Sequence, residues 1–261
     1  MRVALFQQNL VWGDVSHNLQ TVETWLRENR EPVDLVVLPE MFATGFGVDL
    51  TLSEDSNRII QNVRSWSRTY DCAFAFTVMV EDQGAYYNRA FFLSREVECH
   101  YDKRHLFRIG LEGKMFTAGT ERVIVEYKGW RILLQTCYDL RFPVFSRNVQ
   151  NEYDMAVYMA NWPIARIAAW RILLQARAVE NVSYICGVNV VGVDTNGYAH
   201  GGHSLCVDMK GRVVVELPEV EPKVEIVELN KEDLERFRMK FPVWKDADEF
   251  CLKSLRPMQN D

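Results

Sequence analysis

The chain has 261 residues, 48 % of them hydrophobic and 25 % charged, with a formal charge of −6 at pH 7. That length supports a large α/β core, and no Pro-, Gly- or Ser-rich linker divides residues 1–261, so a single domain is expected. An acidic chain with dispersed Lys and Arg lacks the basic footprint of a nucleic-acid binder, and no apolar run reaches membrane-spanning length.

The amino terminus, Met1-Arg-Val-Ala-Leu-Phe-Gln-Gln8, opens on a strand without a signal peptide's apolar core or cleavage site, which makes the cytoplasm the expected compartment. Strands are predicted over 3–8, 35–38, 73–80, 87–93, 97–101, 123–127, 132–136, 155–159, 184–189, 204–208, 213–216 and 224–228. Helices are predicted over 15–30, 53–70, 143–150, 166–181 and 231–241. Lys128-Gly129 and Lys210-Gly211, each between β-rich runs, read as hairpin turns. The alternation is that of an α/β protein. Twelve strands are too many for one simple doubly wound sheet and suit two stacked mixed sheets flanked by helices. The run Lys231-Glu-Asp-Leu-Glu-Arg-Phe-Arg238 reads as an exposed helical face.

Three of the predicted strands end in a chemically capable side chain. Val33-Asp-Leu-Val-Val-Leu-Pro-Glu40 ends in a carboxylate, Cys99-His-Tyr-Asp-Lys103 in an amine, and Arg131-Ile-Leu-Leu-Gln-Thr-Cys137 in a thiol followed by Tyr-Asp-Leu-Arg-Phe-Pro143. Buried parallel strands read as continuous apolar sequence, and α/β proteins bind ligands beyond the carboxyl ends of such strands. A thiol with an ordinary pKa of about 8.5 is mostly protonated at neutral pH, so attack on an amide or nitrile carbon needs a base. Glu40 suits that role, and later returns the proton to departing ammonia and activates water against the thioester. Lys103 and the backbone N–H of Tyr138 suit the developing oxyanion, each such donor being worth roughly 3–4 kcal/mol in comparable sites.

Leu38-Pro-Glu40, Tyr101-Asp-Lys-Arg-His-Leu106 and Cys137-Tyr-Asp-Leu-Arg-Phe-Pro143 resemble, in order, the three signature blocks of the nitrilase superfamily of carbon–nitrogen hydrolases. The resemblance runs from the first strand through Ala160-Asn-Trp-Pro163 and Ala176-Arg-Ala-Val-Glu-Asn181 to Phe241-Pro-Val-Trp-Lys-Asp-Ala-Asp-Glu-Phe250, and is strongest to a bacterial omega-amidase branch. It implies a four-layer αββα sandwich, Glu40 as general base and acid, Lys103 as oxyanion cation, Cys137 as nucleophile, and no metal or other cofactor. It also implies a second glutamate between lysine and cysteine; Glu112 fits that place and Glu121 is its neighbouring competitor. The implied reaction is hydrolysis of the terminal amide of 2-oxoglutaramate or 2-oxosuccinamate. Alternatives within the superfamily are another amidase, a carbamoyl-amine hydrolase or a nitrilase, and outside it a noncatalytic protein that keeps the fold.

Each residue has a plainer rival. Of six cysteines (72, 99, 137, 186, 206 and 251) five read as small core filler, and the absence of Cys-x-x-Cys pairs argues for reduced thiols and against structural zinc. A Cys–His pairing with His105 or His203 is a competing mechanism, though no protease signature surrounds Cys137. For the substrate's distant carboxylate Arg166 is a candidate, its planar fork matching two carboxylate oxygens, against the alternative of a solvated helix start. Phe42, Phe46 and Trp162 are candidates to narrow the pocket around a small amide. A homodimer or higher homo-oligomer is implied by the resemblance, with Arg166–Arg177 suited to an interface and the tail over about 241–261 covering an edge or a partner.

Overall fold

Strand side chains alternate in direction with period two, and in this protein both directions are apolar. The computed structural model describes residues 1–47 and 49–252. In β1 (Arg2–Gln7) Val3 and Leu5 enter one core and Ala4 and Phe6 another, all four buried. Helix α1 (Val15–Glu28) starts at Asp14, whose side chain accepts the His17 N–H, and it lays Val15, Leu19, Val22 and Leu26 on that second core. There follow β2 (Leu35–Val37), α2 (Ser56–Tyr70), β3 (Ala73–Asp82), β4 (Ala85–Leu93), β5 (Glu98–Asp102) and the one-turn α3 (Glu112–Met115). The second half holds β6 (Ile124–Tyr127), β7 (Trp130–Thr136), β8 (Met155–Met159), α4 (Ile167–Asn181), β9 (Tyr184–Val188), β10 (Val191–Val193), β11 (Ala199–Gly201), β12 (Leu205–Val207), β13 (Val213–Glu216), β14 (Lys223–Glu228) and α5 (Lys231–Lys240).

Two six-stranded mixed sheets result, ordered β14-β1-β2-β3-β4-β5 and β13-β12-β9-β8-β7-β6. Their inner faces meet: Leu35 and Val37 of the first sheet share a core with Ile132, Leu134, Met155, Val157 and Val188 of the second. The outer face of the first sheet carries α1 and α2, with Ile59, Val63 and Trp66 on Val36 and Phe74; that of the second carries Trp170 and Leu174 of α4. This is the four-layer αββα arrangement. Gly187 lets α4 sit close on its sheet, since a Cβ there would stand 2.5 Å from a Leu174 methyl and 2.7 Å from the Trp170 ring.

All twelve predicted strands form, and β10–β11 adds a small hairpin that short segments around Gly192 and Gly197 concealed. The predicted helix over 143–150 does not form. Asn148 instead accepts from Tyr153 N at 3.1 Å and donates to the carbonyls of Tyr153 and Asn181, and Gln150 adopts φ +52, so local side-chain bonds outcompete the helix. The exposed reading of the charged α5 run fails at Arg238, which is 7 % exposed and donates to Asp154 Oδ1 at 2.8 Å. Cys72, Cys186 and Cys206 are core filler and Cys99 is half-buried, but Cys251 is exposed; all six are free thiols. Of the tail, the turn Val243–Asp246 is described, with Val243 against the inter-sheet core, while 253–261 lie outside the described residues. No helix among the described residues is long and apolar enough to cross a membrane.

Candidate active site

The carboxyl ends of β2 and β5 in one sheet and β7 in the other converge. Beyond β2, Leu38 N still pairs with Ala75 O, then the chain turns sharply at Met41, φ +48, with Met41 N donating to Thr77 Oγ1 at 2.6 Å. That turn leaves Glu40 1 % exposed. Its Oε1 accepts from Lys103 Nζ at 2.9 Å and Asn88 Nδ2 at 2.8 Å, and its Oε2 from the backbone N–H of Asn161 at 3.0 Å.

Lys103 follows β5 directly, its backbone clamped between Asn88 O and Gly119 N, at 2.9 and 3.0 Å. Gly119 is required there because a Cβ would collide with the Asp102 carbonyl. The ammonium also contacts both oxygens of Glu112, at 2.8 and 3.0 Å, and Glu112 is fixed by the N–H of Phe107 at 2.6 Å and by Asn88 at 3.1 Å. Burial alone favours a neutral amine, but Glu112 and then Glu40 outweigh it and raise the Lys103 pKa. For Glu112 burial dominates, opposed by Lys103 and reinforced by Glu40, and its pKa rises. Two carboxylates and one cation in a nearly dry site leave an excess negative charge, so this cluster favours holding a proton.

Cys137 begins a 3-10 turn (Cys137–Arg141) in the left-handed region, φ +43, a conformation that costs a non-glycine residue roughly 1–2 kcal/mol. Asp139 holds the turn: its Oδ2 accepts from Thr136 N at 3.0 Å and Tyr101 Oη at 2.7 Å, and its Oδ1 from His105 N at 3.0 Å and His105 Nδ1 at 2.8 Å. The thiol lies 4.0 Å from Asn161 O. Burial first, and the Glu40 carboxylate second, push its pKa well up against the opposing pull of Lys103, so the resting group is the thiol and not the thiolate.

A cavity of about 440 Å³ opens onto Glu40, Lys103, Glu112 and Cys137. Tyr138, Phe46, Trp162 and Arg166 also line it, so most of the residues expected at the site are brought together. Phe42 is not. It is fully buried on the outer face of the first sheet, edge-on to Phe76 at 5.8 Å, because the Met41 turn sends it back under the helices. Of the two glutamates, Glu112 joins the cluster while Glu121 is exposed and outside the cavity. His105 stacks on Phe142 at 3.9 Å and serves Asp139; His203 pairs with Glu216 at 2.6 Å, away from the cavity. Neither histidine contacts the thiol.

The sequence profile of the carbon-nitrogen hydrolase family matches residues 2–239. The chain belongs to that family. It is 41 % identical over 254 residues to omega-amidase YafV of Yersinia enterocolitica, covering 97 % of this chain and 98 % of that one. A 2-oxoglutaramate amidase of Bacillus subtilis is 28 % identical over 251 residues, covering 94 % and 96 %. Among solved structures, XC1258 of Xanthomonas campestris, a CN-hydrolase superfamily protein with an arsenic adduct in its active site, superposes with a TM-score of 0.92 at 35 % identity, covering 97 % and 99 %.

Asn88, Asn161 and His200 are among the residues of this carbon–nitrogen hydrolase site that the sequence left unassigned. Asn88 ties Glu40 to Glu112; the polar pair Asn88-Arg89 ahead of the apolar run Ala90-Phe-Phe-Leu93 is only a weak signal of that role. Asn161 donates to Glu40 through its backbone N–H and, through Nδ2, to the Glu40 carbonyl at 2.7 Å. His200 comes from the unpredicted β10–β11 hairpin and had no local signal.

Proposed function

We propose that this chain is an omega-amidase, converting 2-oxoglutaramate, 2-oxosuccinamate or a close analogue to the 2-oxo dicarboxylic acid and ammonia. The observation that carries the reading is the buried Glu40–Lys103–Glu112 cluster opening onto the same cavity as Cys137. Relatives named omega-amidase and 2-oxoglutaramate amidase, aligned over nearly the whole chain, supply the substrate class.

In this reading Glu40 takes the Cys137 proton as sulfur bonds to the amide carbon. The oxygen's charge falls on Lys103 and the Tyr138 N–H. Lys103 has three protons and three carboxylate contacts, so an oxyanion draws one proton from the Glu112 pair. Collapse of the adduct breaks the C–N bond, and Glu40 returns its proton to nitrogen so that ammonia leaves. Water then gives its proton to Glu40 and its oxygen to the thioester carbon, and Cys137 departs reprotonated. Glu112 orients the ammonium without transferring protons. The same proposal treats the chain as one catalytic domain, cytoplasmic and homo-oligomeric.

The test is ammonia release from 2-oxoglutaramate, 2-oxosuccinamate, glutamine and an N-carbamoyl amino acid, with Cys137→Ala as blank. Cys137-dependent release confined to the oxo acid amides supports the reading. Release from the carbamoyl compound alone overturns the substrate and keeps the chemistry.

A further inference from the structure

Two thiols outside the active site touch. Cys186 of β9 and Cys206 of β12 stand directly opposite each other on neighbouring antiparallel strands, and the Cys186 S–H donates to Cys206 Sγ at 3.7 Å. Both are fully buried in the core between the sheets, with Met155 Sδ also 3.7 Å from Cys186 Sγ. Opposed residues of an antiparallel pair have Cα atoms about 4.5 or 5.5 Å apart, and both spacings lie within the range that a disulfide bridges. The sulfur atoms already meet, so closing the bond to about 2 Å needs side-chain rotation rather than movement of the strands.

The strand that carries Cys206 is also where this sheet opens most readily. β12 has three residues, its register with β13 shifts between Cys206 and Val207, and β13 is the last strand of its sheet, with Val213 and Val214 41 % and 47 % exposed. A bulge disrupts the ladder locally, and an edge strand with few buried contacts separates at less cost than the sheet as a whole. An oxidant as small as hydrogen peroxide can enter such an opening.

We propose that Cys186 and Cys206 form a reversible disulfide under peroxide, a modification that goes beyond the omega-amidase reading and does not depend on it. The Cys206 sulfur attacks one peroxide oxygen, the O–O bond breaks, and the thiol proton leaves with the other oxygen as water. Cys186 then attacks the sulfur of the resulting sulfenic acid, and its proton joins the departing hydroxyl as a second water. Two thiols and one hydrogen peroxide give one disulfide and two waters.

The bond lies beside the cavity wall. Beyond Cys186 on the same chain, Asn189 accepts from Trp162 N at 2.7 Å and donates to the carbonyls of Trp162 and Gly202. Just before Cys206, Ser204 Oγ accepts from Asn189 N at 2.9 Å. The disulfide therefore ties together the two strands that frame Trp162, a residue of the cavity, and closes the chain that runs through the β10–β11 hairpin between them. Such a crosslink restricts the unfolded chain, so the oxidised protein resists unfolding.

The test treats the folded protein with hydrogen peroxide, blocks the remaining thiols with iodoacetamide in denaturant, and digests without reductant. Cleavage before Asp194 separates the two cysteines, so fragments that stay joined until dithiothreitol is added report the Cys186–Cys206 bond. That joined species is expected in the wild type and not in Cys206→Ser. In a Cys137→Ala background, where the nucleophile cannot be oxidised, peroxide is expected to raise the melting temperature by roughly 5–10 °C, reversibly with dithiothreitol. Adding Cys206→Ser to that background is expected to abolish the rise. Iodoacetamide on both cysteines, sulfinic acid in place of the joined species, or a bond to any other cysteine overturns the proposal, and so does a joined species that melts no higher. Should Cys206→Ser not fold, the wild-type fragments and the Cys137→Ala melts decide alone.

Discussion

Asn88 and Glu40 are joined by a buried hydrogen bond, Nδ2 to Oε1 at 2.8 Å, and the same nitrogen reaches Glu112 at 3.1 Å. One amide thus holds two carboxylates beside a single ammonium. Asn88→Leu keeps the volume and removes the donor, leaving the repulsion between the carboxylates less compensated. The expected result is a kcat ten- to a hundredfold lower with a smaller change in KM, and an acidic limb of the kcat–pH profile moved to higher pH, since loss of a donor disfavours the charged carboxylates. A merely structural Asn88 would leave the profile where it is.

The three proposed catalytic groups separate by how the activity is lost. Cys137→Ala removes the nucleophile and is expected to leave ammonia release at background with an intact circular dichroism spectrum. Glu40→Gln is expected to cost roughly 10²–10⁴-fold in kcat. Lys103→Ala costs about 10²–10³-fold as oxyanion stabilisation is lost. Wild-type kcat in either variant refutes the role assigned to it. Because burial raises the Cys137 thiol, its alkylation by iodoacetamide should still be accelerating above pH 9, where an ordinary thiol has levelled off.

The sheets were legible because both faces of each inner strand are apolar, and the strand-end positions of Glu40, Lys103 and Cys137 followed from where the apolar runs stop. Phe42 was not legible: its direction depends on a left-handed Met41, and nothing in Pro-Glu-Met-Phe announces that turn. Nor was the failed helix over 143–150, whose competitor is the bonding of Asn148 to residues as distant as Asn181. Asn88 and His200 gain meaning only from partners and a cavity assembled by other elements, so periodicity carries no trace of their roles.

Asp139 is the keystone of the nucleophile turn, with four donors on its two oxygens. Asp139→Asn replaces one acceptor oxygen by an NH₂ that faces donors. Stability should fall by about 2–3 kcal/mol, read as a lower urea midpoint, because a charge-assisted bond is lost and a buried donor is orphaned. Thioester formation in single-turnover experiments should slow as Cys137 loses its strained setting. A variant with the wild-type midpoint contradicts the keystone role.

The acid stability of the fold should report Asp154. This carboxylate, 1 % exposed as a side chain, meets Arg131 at 2.7 Å, Arg238 at 2.8 Å and Lys231 at 3.2 Å, tying α5 to the start of β7. Burial would raise its pKa, but the Arg131 hydrogen bonds and the surrounding cations carry it down to about 2. The folded value lies below the unfolded value of about 3.9, so the contribution is complete above roughly pH 4 and is lost as pH falls toward 2. Asp154→Asn should cost about 3 kcal/mol at neutral pH by leaving Arg238 buried without its counter-charge. It should also flatten the decline of stability between pH 4 and 2. Urea melts of wild type and variant at pH 7, 4 and 3 check both parts: a constant gap across that range would mean that Asp154 is not the group whose protonation loosens the fold.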